Sequence, residues 1–132
     1  MTPSTLLIAI ALTAGTTLPV QAQKCDRSTL PPTSAIVEVV RYQLAPGISD
    51  QAHLDAAAAI TPFLCAQPGF VRRVLSKGGD GLWIDFIEWE SAEFAAASAE
   101  RAQSEPAVAP FLQSVNPETM DFRYLNIQRT ID

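Results

Sequence analysis

The chain has little of the side-chain chemistry that most metal and cofactor sites need. Its 132 residues include one histidine, two cysteines and nine lysine and arginine residues, and the net charge is −5. Nucleic-acid binding needs a concentrated basic surface, and the basic residues here are scattered. Two distant cysteines and one histidine do not make a zinc set. Phosphate-binding loops, Ser-His-Asp sets and flavin motifs are also missing. Taken together, these absences lead us to expect no nucleic-acid partner, no metal and no cofactor.

Long apolar runs are scarce, and the most apolar segment is a short one near the N-terminus. Leu6–Gly15 is too short to span a bilayer comfortably, and Val20 and Ala22 are the small residues of a signal-peptidase site. We predict that residues 1–22 are a cleaved signal peptide and that the mature protein is periplasmic or secreted, with no membrane attachment. One feature departs from the usual signal-peptide pattern, because no lysine or arginine precedes the apolar run. An uncleaved N-terminal anchor is the alternative.

The two cysteines, Cys25 and Cys65, permit a disulfide in an exported protein. This bond would tie an extended N-terminal arm, residues 23–35, to the end of the first helix. The closed loop of about 40 residues would contribute about 2–4 kcal/mol to stability. Two unpaired thiols, or a bond between chains, are the alternatives.

Residues 36–128 alternate between strand and helix patterns and predict one α+β domain. Strands rich in β-branched and aromatic residues are predicted at 36–44, 70–77, 82–90 and 120–128. Helices are predicted at 50–67 and 92–103, with a kink or new turn at Pro62 and a short helical turn within 104–115. The order β-α-β-β-α-β is the ferredoxin-like arrangement, one four-stranded antiparallel sheet with two helices on one face.

Both faces of this sheet are predicted to be apolar. In the third strand, Leu82, Ile84 and Phe86 alternate with Trp83, Asp85, Ile87 and Trp89. The helices can cover one face, and the other would expose more apolar surface than a soluble monomer usually shows. We therefore predict a homodimer in which two sheets pack together. Asp85 is expected to be a buried, hydrogen-bonded or arginine-paired group that fixes the register of the sheet or dimer.

The stretch "PGFVRRVLSKGGDGLWIDFIEWESAEFAAAS" resembles the antibiotic biosynthesis monooxygenase-like family of dimeric α+β barrels. The shared pattern is "PGF" opening the second strand, then W-x-D-x-x-x-W-x-S leading into an alanine-rich helix. The resemblance covers roughly residues 36–128 and implies a barrel of two facing sheets, with a pocket between each sheet and its helices. The superfamily includes cofactor-free oxygenases of activated aromatic substrates, haem-degrading enzymes, isomerases and members without known activity.

An oxygenase of this kind would need groups that orient a substrate, exclude water and stabilise a carbanion. The candidate catalytic residues are Asp85, Arg72 and His53. The candidate substrate-binding residues are Trp83, Trp89, Tyr42 and Arg123.

Each candidate also has a purely structural interpretation. The two tryptophans are typical of a core or dimer contact. Arg72 and Arg73 are adjacent in a strand, so one of the two faces inward, where Asp85 or Glu88 could pair with it. Arg123 could pair with Asp121 or Glu38, and His53, in the first helical turn, is expected to face solvent.

On these grounds we expect an exported homodimer that binds a small hydrophobic or aromatic molecule. Whether the protein is an enzyme is left open. A cofactor-independent monooxygenase is one alternative. A haem-binding or haem-degrading protein is a second and poorer one, because that branch takes its axial histidine from the second helix, which has none here.

Overall fold

The computed structural model describes residues 24–31 and 33–132. The predicted signal peptide lies outside the described residues. The strands are β1 Ile36–Tyr42, β2 Phe70–Lys77, β3 Trp83–Trp89 and β4 Asp121–Asn126, and the α-helices are α1 Asp50–Ala59, α2 Thr61–Cys65, α3 Ala92–Ala102 and α4 Ala109–Ser114. A 3₁₀ turn, Pro117–Thr119, leads into β4. Within the described ranges no helix combines the length and the apolarity needed to cross a membrane.

The four strands form one sheet in the order β2-β3-β1-β4, and all neighbours are antiparallel. This confirms the predicted ferredoxin-like topology. β1 ends at Tyr42, two residues before its predicted end, and Leu44 instead makes an isolated bridge with Val115. This bridge joins the loop after β1 to the end of α4.

The helix boundaries follow from local chemistry. The Ser49 hydroxyl accepts a hydrogen bond from the amide of Ala52 and caps α1. The helix ends at Ala59, and α2 begins at Thr61 with Pro62 in its first turn, where a missing amide proton costs nothing. The predicted new turn at Pro62 is therefore confirmed. Ser91 caps α3 in the same way as Ser49 caps α1.

A β-bulge at the start of β2 sets which arginine faces the helices. Phe70 pairs with Trp89 and Arg72 with Glu88, so the register shifts by one residue between them. As a result Phe70 and Arg73 both point to the helix side of the sheet, although they are three residues apart. Arg72 points to the opposite side.

The two faces of the sheet differ sharply in burial. On the helix side, Trp83, Asp85, Ile87 and Trp89 are all buried. The opposite side, called the outer face here, carries Val39, Val74, Ile84, Phe86 and Leu125. Val74 is 44% exposed and Leu125 is 50% exposed. The fold thus covers one apolar face of the sheet and leaves a second one partly open to solvent.

The N-terminal arm is attached to the helix layer by a disulfide between Cys25 and Cys65, whose Cα atoms are 5.4 Å apart. Cys65 is the last residue of α2, and the bond closes a separation of 40 residues. Cys25 and Leu30 of the arm pack against the core. The intrachain disulfide is the one of the three predicted alternatives that the structure shows.

Candidate active site

A buried ion pair joins β2 to β3 beneath the helices. The Arg73 guanidinium donates from Nε to Asp85 Oδ1 at 2.8 Å and from Nη2 to Oδ2 at 2.7 Å. Its Nη1 donates to the Ala57 carbonyl at 3.1 Å, and the guanidinium carbon lies 4.8 Å from the centre of the Phe111 ring. The two side chains are 11% and 5% exposed. Asp85 is therefore the buried, arginine-paired group that the strand pattern predicts.

A hydrogen-bonded chain runs from Tyr42 through His53 to Ser114. The Ser114 hydroxyl donates its one proton to the Phe111 carbonyl at 2.6 Å, so it accepts from His53 Nδ1 at 2.7 Å. His53 Nε2 then has no proton and accepts from the Tyr42 hydroxyl at 2.9 Å. Burial, and then the nearby Arg73, lower the pKa of His53, which favours this neutral form. Burial, and then the Asp85 charge, raise the pKa of Tyr42, which keeps its hydroxyl protonated.

His53 is fully buried, so the expectation that it faces solvent was wrong. The reason is the tertiary packing of α1 on α4. The imidazole stacks on Phe111 and meets Trp83 edge to face, with centroid distances of 5.0 and 4.7 Å. Both of its ring nitrogens are already hydrogen-bonded, so His53 is not placed to ligate a haem iron in the cavity.

Glu38 is a second buried carboxylate on the helix side of the sheet. It is 8% exposed, and its Oε2 accepts a hydrogen bond from Trp89 Nε1 at 3.1 Å. Burial, and then the neighbouring Asp85 charge, raise the pKa of Glu38 from 4.5 to about 7. Near neutral pH this carboxyl group can therefore gain or lose a proton.

Glu38, Tyr42 and Asp85 lie at one wall of a cavity of about 620 Å³ between the sheet and helices α2, α3 and α4, whereas His53, Ser114 and Arg73 do not line it. The sheet side of the cavity includes Glu38, Val40, Tyr42, Asp85, Ile87 and Trp89. The helix side includes Phe63, Leu64, Ser98, Ala102, Phe111 and Leu112. A cavity of this size, mostly apolar with a few polar groups, is typical of a small-molecule site.

The structure brings some of the predicted site residues to this cavity and not others. Tyr42, Asp85 and Trp89 line it. Trp83 is buried beside His53 and does not line it.

Both predicted site arginines, Arg72 and Arg123, lie on the outer face. Arg72 pairs there with Glu88 at 2.7 Å, and Arg123 pairs with Asp121 at 3.2 Å. Neither position supports contact with a ligand in the cavity. For Arg72 the physical reason is the bulge in β2, which turns Arg73 inward instead.

Three residues that matter to the geometry were not among the predicted site residues. Ser114 comes to the site through α4, and no local pattern marks it. Strand alternation indicated that one of Arg72 and Arg73 faces inward, and the bulge in β2 decides that it is Arg73. Glu38 did carry a signal, because it stands between Ile36 and Val40 on one face of a strand, as Asp85 stands between Trp83 and Ile87. A carboxylate flanked in this way by apolar residues marks a buried polar position.

Metal-ligating side chains are not clustered in the described part of the chain. Among residues 24–31 and 33–132, no group of three or more histidine, cysteine, aspartate and glutamate side chains is placed to hold a metal ion. The expectation of a metal-free and cofactor-free protein stays a prediction.

Comparison with known proteins places the fold. No protein-family model matches the chain, and neither does any curated protein sequence. Among solved structures, SnoaB, a cofactor-independent oxygenase from Streptomyces nogalater, is similar at a TM-score of 0.62 and 16% identity, over 75% of this chain and 98% of that one. A candidate antibiotic biosynthesis monooxygenase from Bordetella bronchiseptica matches at 0.61 and 13%, over 75% of this chain and all of that one, 100%.

A third similar structure was solved with a ligand. The monooxygenase from the gene ActVA-Orf6 of Streptomyces coelicolor, in complex with nanaomycin D, has a TM-score of 0.55 and 15% identity, over 74% of this chain and 91% of that one. At such identities the likeness concerns the fold. The chain therefore has the fold of the antibiotic biosynthesis monooxygenase family, as its sequence resemblance implied.

Proposed function

We propose that this protein binds a small hydrophobic or aromatic molecule in the cavity between its sheet and its helices. The cavity itself carries the proposal: about 620 Å³ walled mainly by apolar side chains, with the polar groups Glu38, Tyr42 and Asp85 on the sheet side and Ser98, Gln103 and Gln113 on the helix side. Ligand pockets of drug-sized molecules span about 300–1,000 Å³. A ring system of two or three fused rings would fit this space.

We further propose that the protein acts after export, as a homodimer. The pattern of residues 6–22 supports export, and a disulfide suits an oxidising compartment. The exposed apolar side chains of the outer face support a second copy packed against that face. N-terminal sequencing of the secreted or periplasmic protein should begin at Gln23, and an intact Met1 in that fraction would contradict cleavage.

Binding can be tested by ligand-induced thermal stabilisation of residues 23–132, with quinols, anthrones, haem and 1-naphthylmethylamine as probes. Leu112 lines the cavity and is 49% exposed, whereas Leu54 is 44% exposed on α1 and lies away from it. Leu112→Trp should reduce the space for a ligand, and Leu54→Trp is the matched control. We expect a probe to raise the melting temperature of the wild type and of Leu54→Trp but not of Leu112→Trp. Failure of every probe, or equal stabilisation of both variants, would reject the proposal.

A second candidate function is cofactor-independent oxygenation, in which dioxygen from solution is the oxidant. The Glu38 carboxyl group favours it, because a base of pKa about 7 at the wall of a mostly apolar cavity can take the proton of an acidic C–H or O–H bond. The carbanion left on the substrate would then be oxidised by dioxygen, with one oxygen atom entering the substrate as a ketone and the other leaving as water, so that a CH2 group and O2 give C=O and H2O. SnoaB, an oxygenase with this fold, adds support by analogy.

Oxygen uptake with an anthrone separates this function from simple binding. Wild-type protein should consume oxygen faster than the buffer alone, and Glu38→Gln should be slower by about 10²-fold or more. Glu100→Gln, which removes an exposed charge on α3, should keep the wild-type rate. If the anthrone binds but no oxygen is consumed, the binding function is supported and the oxygenase function is rejected.

A further inference from the structure

The charges at the cavity wall do not balance. Among the described residues, the lining includes two carboxylates, Glu38 and Asp85, and no lysine, arginine or histidine. The charge of Asp85 is neutralised within the protein by Arg73, whose Nε and Nη2 both donate hydrogen bonds to the Asp85 carboxylate. No ion pair of the described chain involves Glu38. When Glu38 is ionised, the buried cluster is short of one positive charge.

One oxygen of Glu38 is free to meet a ligand. Its Oε2 accepts from Trp89 Nε1, and no hydrogen bond of the described chain uses Oε1. Every fully buried side-chain nitrogen and oxygen in residues 24–31 and 33–132 has a partner. Oε1 must therefore be reachable, and Glu38 lines the cavity.

Aromatic rings stand close to this carboxylate. Tyr124 lies opposite Glu38 across β1 and β4, and Phe122 lies opposite Val40 and lines the cavity. The Phe122 and Tyr124 rings meet edge to face with centroids 4.9 Å apart, and both are partly exposed. Aromatic rings beside a carboxylate attract a cation through their faces.

Three kinds of ligand polar group can be compared at this position. An anion would add a third negative charge with no cation on the cavity wall. A neutral hydroxyl would donate a hydrogen bond but leave the buried charge uncompensated, which is costly. A protonated amine would donate a charge-assisted hydrogen bond and neutralise Glu38 at once.

We propose that the ligand is a hydrophobic amine bound as a cation, with its ammonium group at Oε1 of Glu38 and its apolar body along the helix side of the cavity. The proposal rests on the proposed binding function and deepens it. It identifies Glu38 as the residue that selects a monocation over a neutral or anionic molecule of the same shape.

The pH dependence of binding follows from the groups that face Glu38. These are Asp85 on β3, held by Arg73 of β2, and Tyr124 on β4, while α2, α3 and α4 bring no titratable side chain to the cavity. The pKa of the empty-site Glu38 is about 7, so an amine must displace its proton below that pH. Amine affinity should therefore rise by about thirtyfold from pH 5.5 to pH 8, and then level off.

Isothermal titration with three probes of equal shape tests the proposal: 1-naphthylmethylamine, 1-naphthalenemethanol and 1-naphthoate. At pH 8 the amine should bind about tenfold or more tightly than the alcohol, and the naphthoate should be weakest. Glu38→Gln should abolish both the preference for the amine and its pH dependence. Glu100→Gln removes the same charge from an exposed position and should preserve them.

The outcomes separate this proposal from the binding function on which it rests. Equal binding of amine and alcohol, tighter binding of naphthoate, or an amine preference that survives in Glu38→Gln would overturn the cation proposal alone. If none of the three probes binds to the wild type, the binding function and the cation proposal both fail. The comparison of amine with alcohol uses wild-type protein, so it stands even if a variant does not fold.

Discussion

Arg73 and Asp85 form an ion pair that is largely buried, with side chains 11% and 5% exposed. Each polar atom of the Arg73 side chain that faces the protein has a partner: two bonds to Asp85 and one to the Ala57 carbonyl. The pair connects β2, β3 and α1 behind the cavity. The ion pair therefore holds β2, β3 and α1 in place relative to one another. It would affect a bound ligand through the position of these elements at the cavity wall.

Removing one partner of this pair should be costly. Arg73→Met leaves Asp85 buried without its cation and should destabilise the fold by about 3–5 kcal/mol. Arg72→Met is the matched control, since the Arg72 side chain is 58% exposed, and it should change stability by about 1 kcal/mol or less. Urea unfolding measures both. The double variant of Arg73→Met and Asp85→Leu should recover much of the loss, and equal losses in Arg72→Met and Arg73→Met would contradict this account.

Glu38 should make stability fall as pH rises. Its pKa is 4.5 when unfolded and about 7 when folded, so the folded state holds the proton more tightly. The resulting stabilisation is complete below about pH 4.5 and is lost as pH rises through about 7. When the pH is raised from 4.5 to 8, the free energy of unfolding of Glu38→Gln should increase relative to that of the wild type by on the order of 3 kcal/mol. Urea unfolding at the two pH values tests this, with Glu100→Gln as control, and a pH-independent gap between wild type and Glu38→Gln would refute it.

At the scale of elements, the turn between α2 and β2 shows why "PGF" opens the second strand. Gly69 has a φ of +78°, which L-residues rarely adopt, and its carbonyl accepts from the amide of Glu90. A Cβ atom at this position would lie 2.6 Å from the Cβ of Phe94 on α3. Gly69 thus lets β2 begin directly beneath α3, which closes one end of the helix layer.

We expect Gly69→Ala to destabilise the protein by about 1–3 kcal/mol, because it combines backbone strain with overlap on Phe94. Gly79 has no positive φ, and a methyl group added there would meet no atom within 4 Å. Gly79→Ala in the hairpin turn should therefore stay within about 0.5 kcal/mol of the wild type. Thermal unfolding of the two variants side by side measures the difference. Similar melting temperatures would show that α3 can move away from the turn.

At the scale of the whole molecule, the outer face remains the largest unpartnered apolar surface of the sheet. A ferredoxin-like domain covers one face of its sheet with helices, and no helix or strand of residues 24–31 and 33–132 covers the other. The side chains on it come from all four strands, so a partner that covers it must be broad and flat. A second copy of the same sheet has that shape.

The dimer can be tested by analytical ultracentrifugation of residues 23–132. The wild type should sediment as a dimer at micromolar concentration, and Val74→Asp should make it a monomer by placing a charge in the apolar contact. Ile48→Asp is the matched control, because Ile48 is 37% exposed in the loop after β1, away from the outer face. A monomeric wild type, or equal dissociation of both variants, would rule out this interface.

Much of the architecture could be predicted from local patterns. Alternation in β3 placed Trp83, Asp85, Ile87 and Trp89 on one face, and all four are buried together. Ser49, Pro62 and Ser91 marked helix boundaries by their own backbone chemistry. These features could be predicted because each depends on residues that are close to one another in the sequence.

The site was less predictable, because it depends on contacts between distant residues. Strict alternation from Phe70 would place Arg72 on the helix side of the sheet. The bulge adds one residue to β2 and places Arg73 there instead, and this is visible only when β2 is paired with β3. His53 stands in an exposed first turn by sequence, yet Phe111 and Ser114 of α4 bury it. The sequence by itself thus determined the elements, their order and the apolar faces. Only the tertiary structure decided which charges meet at the cavity, since register and helix packing are set by partners far along the chain.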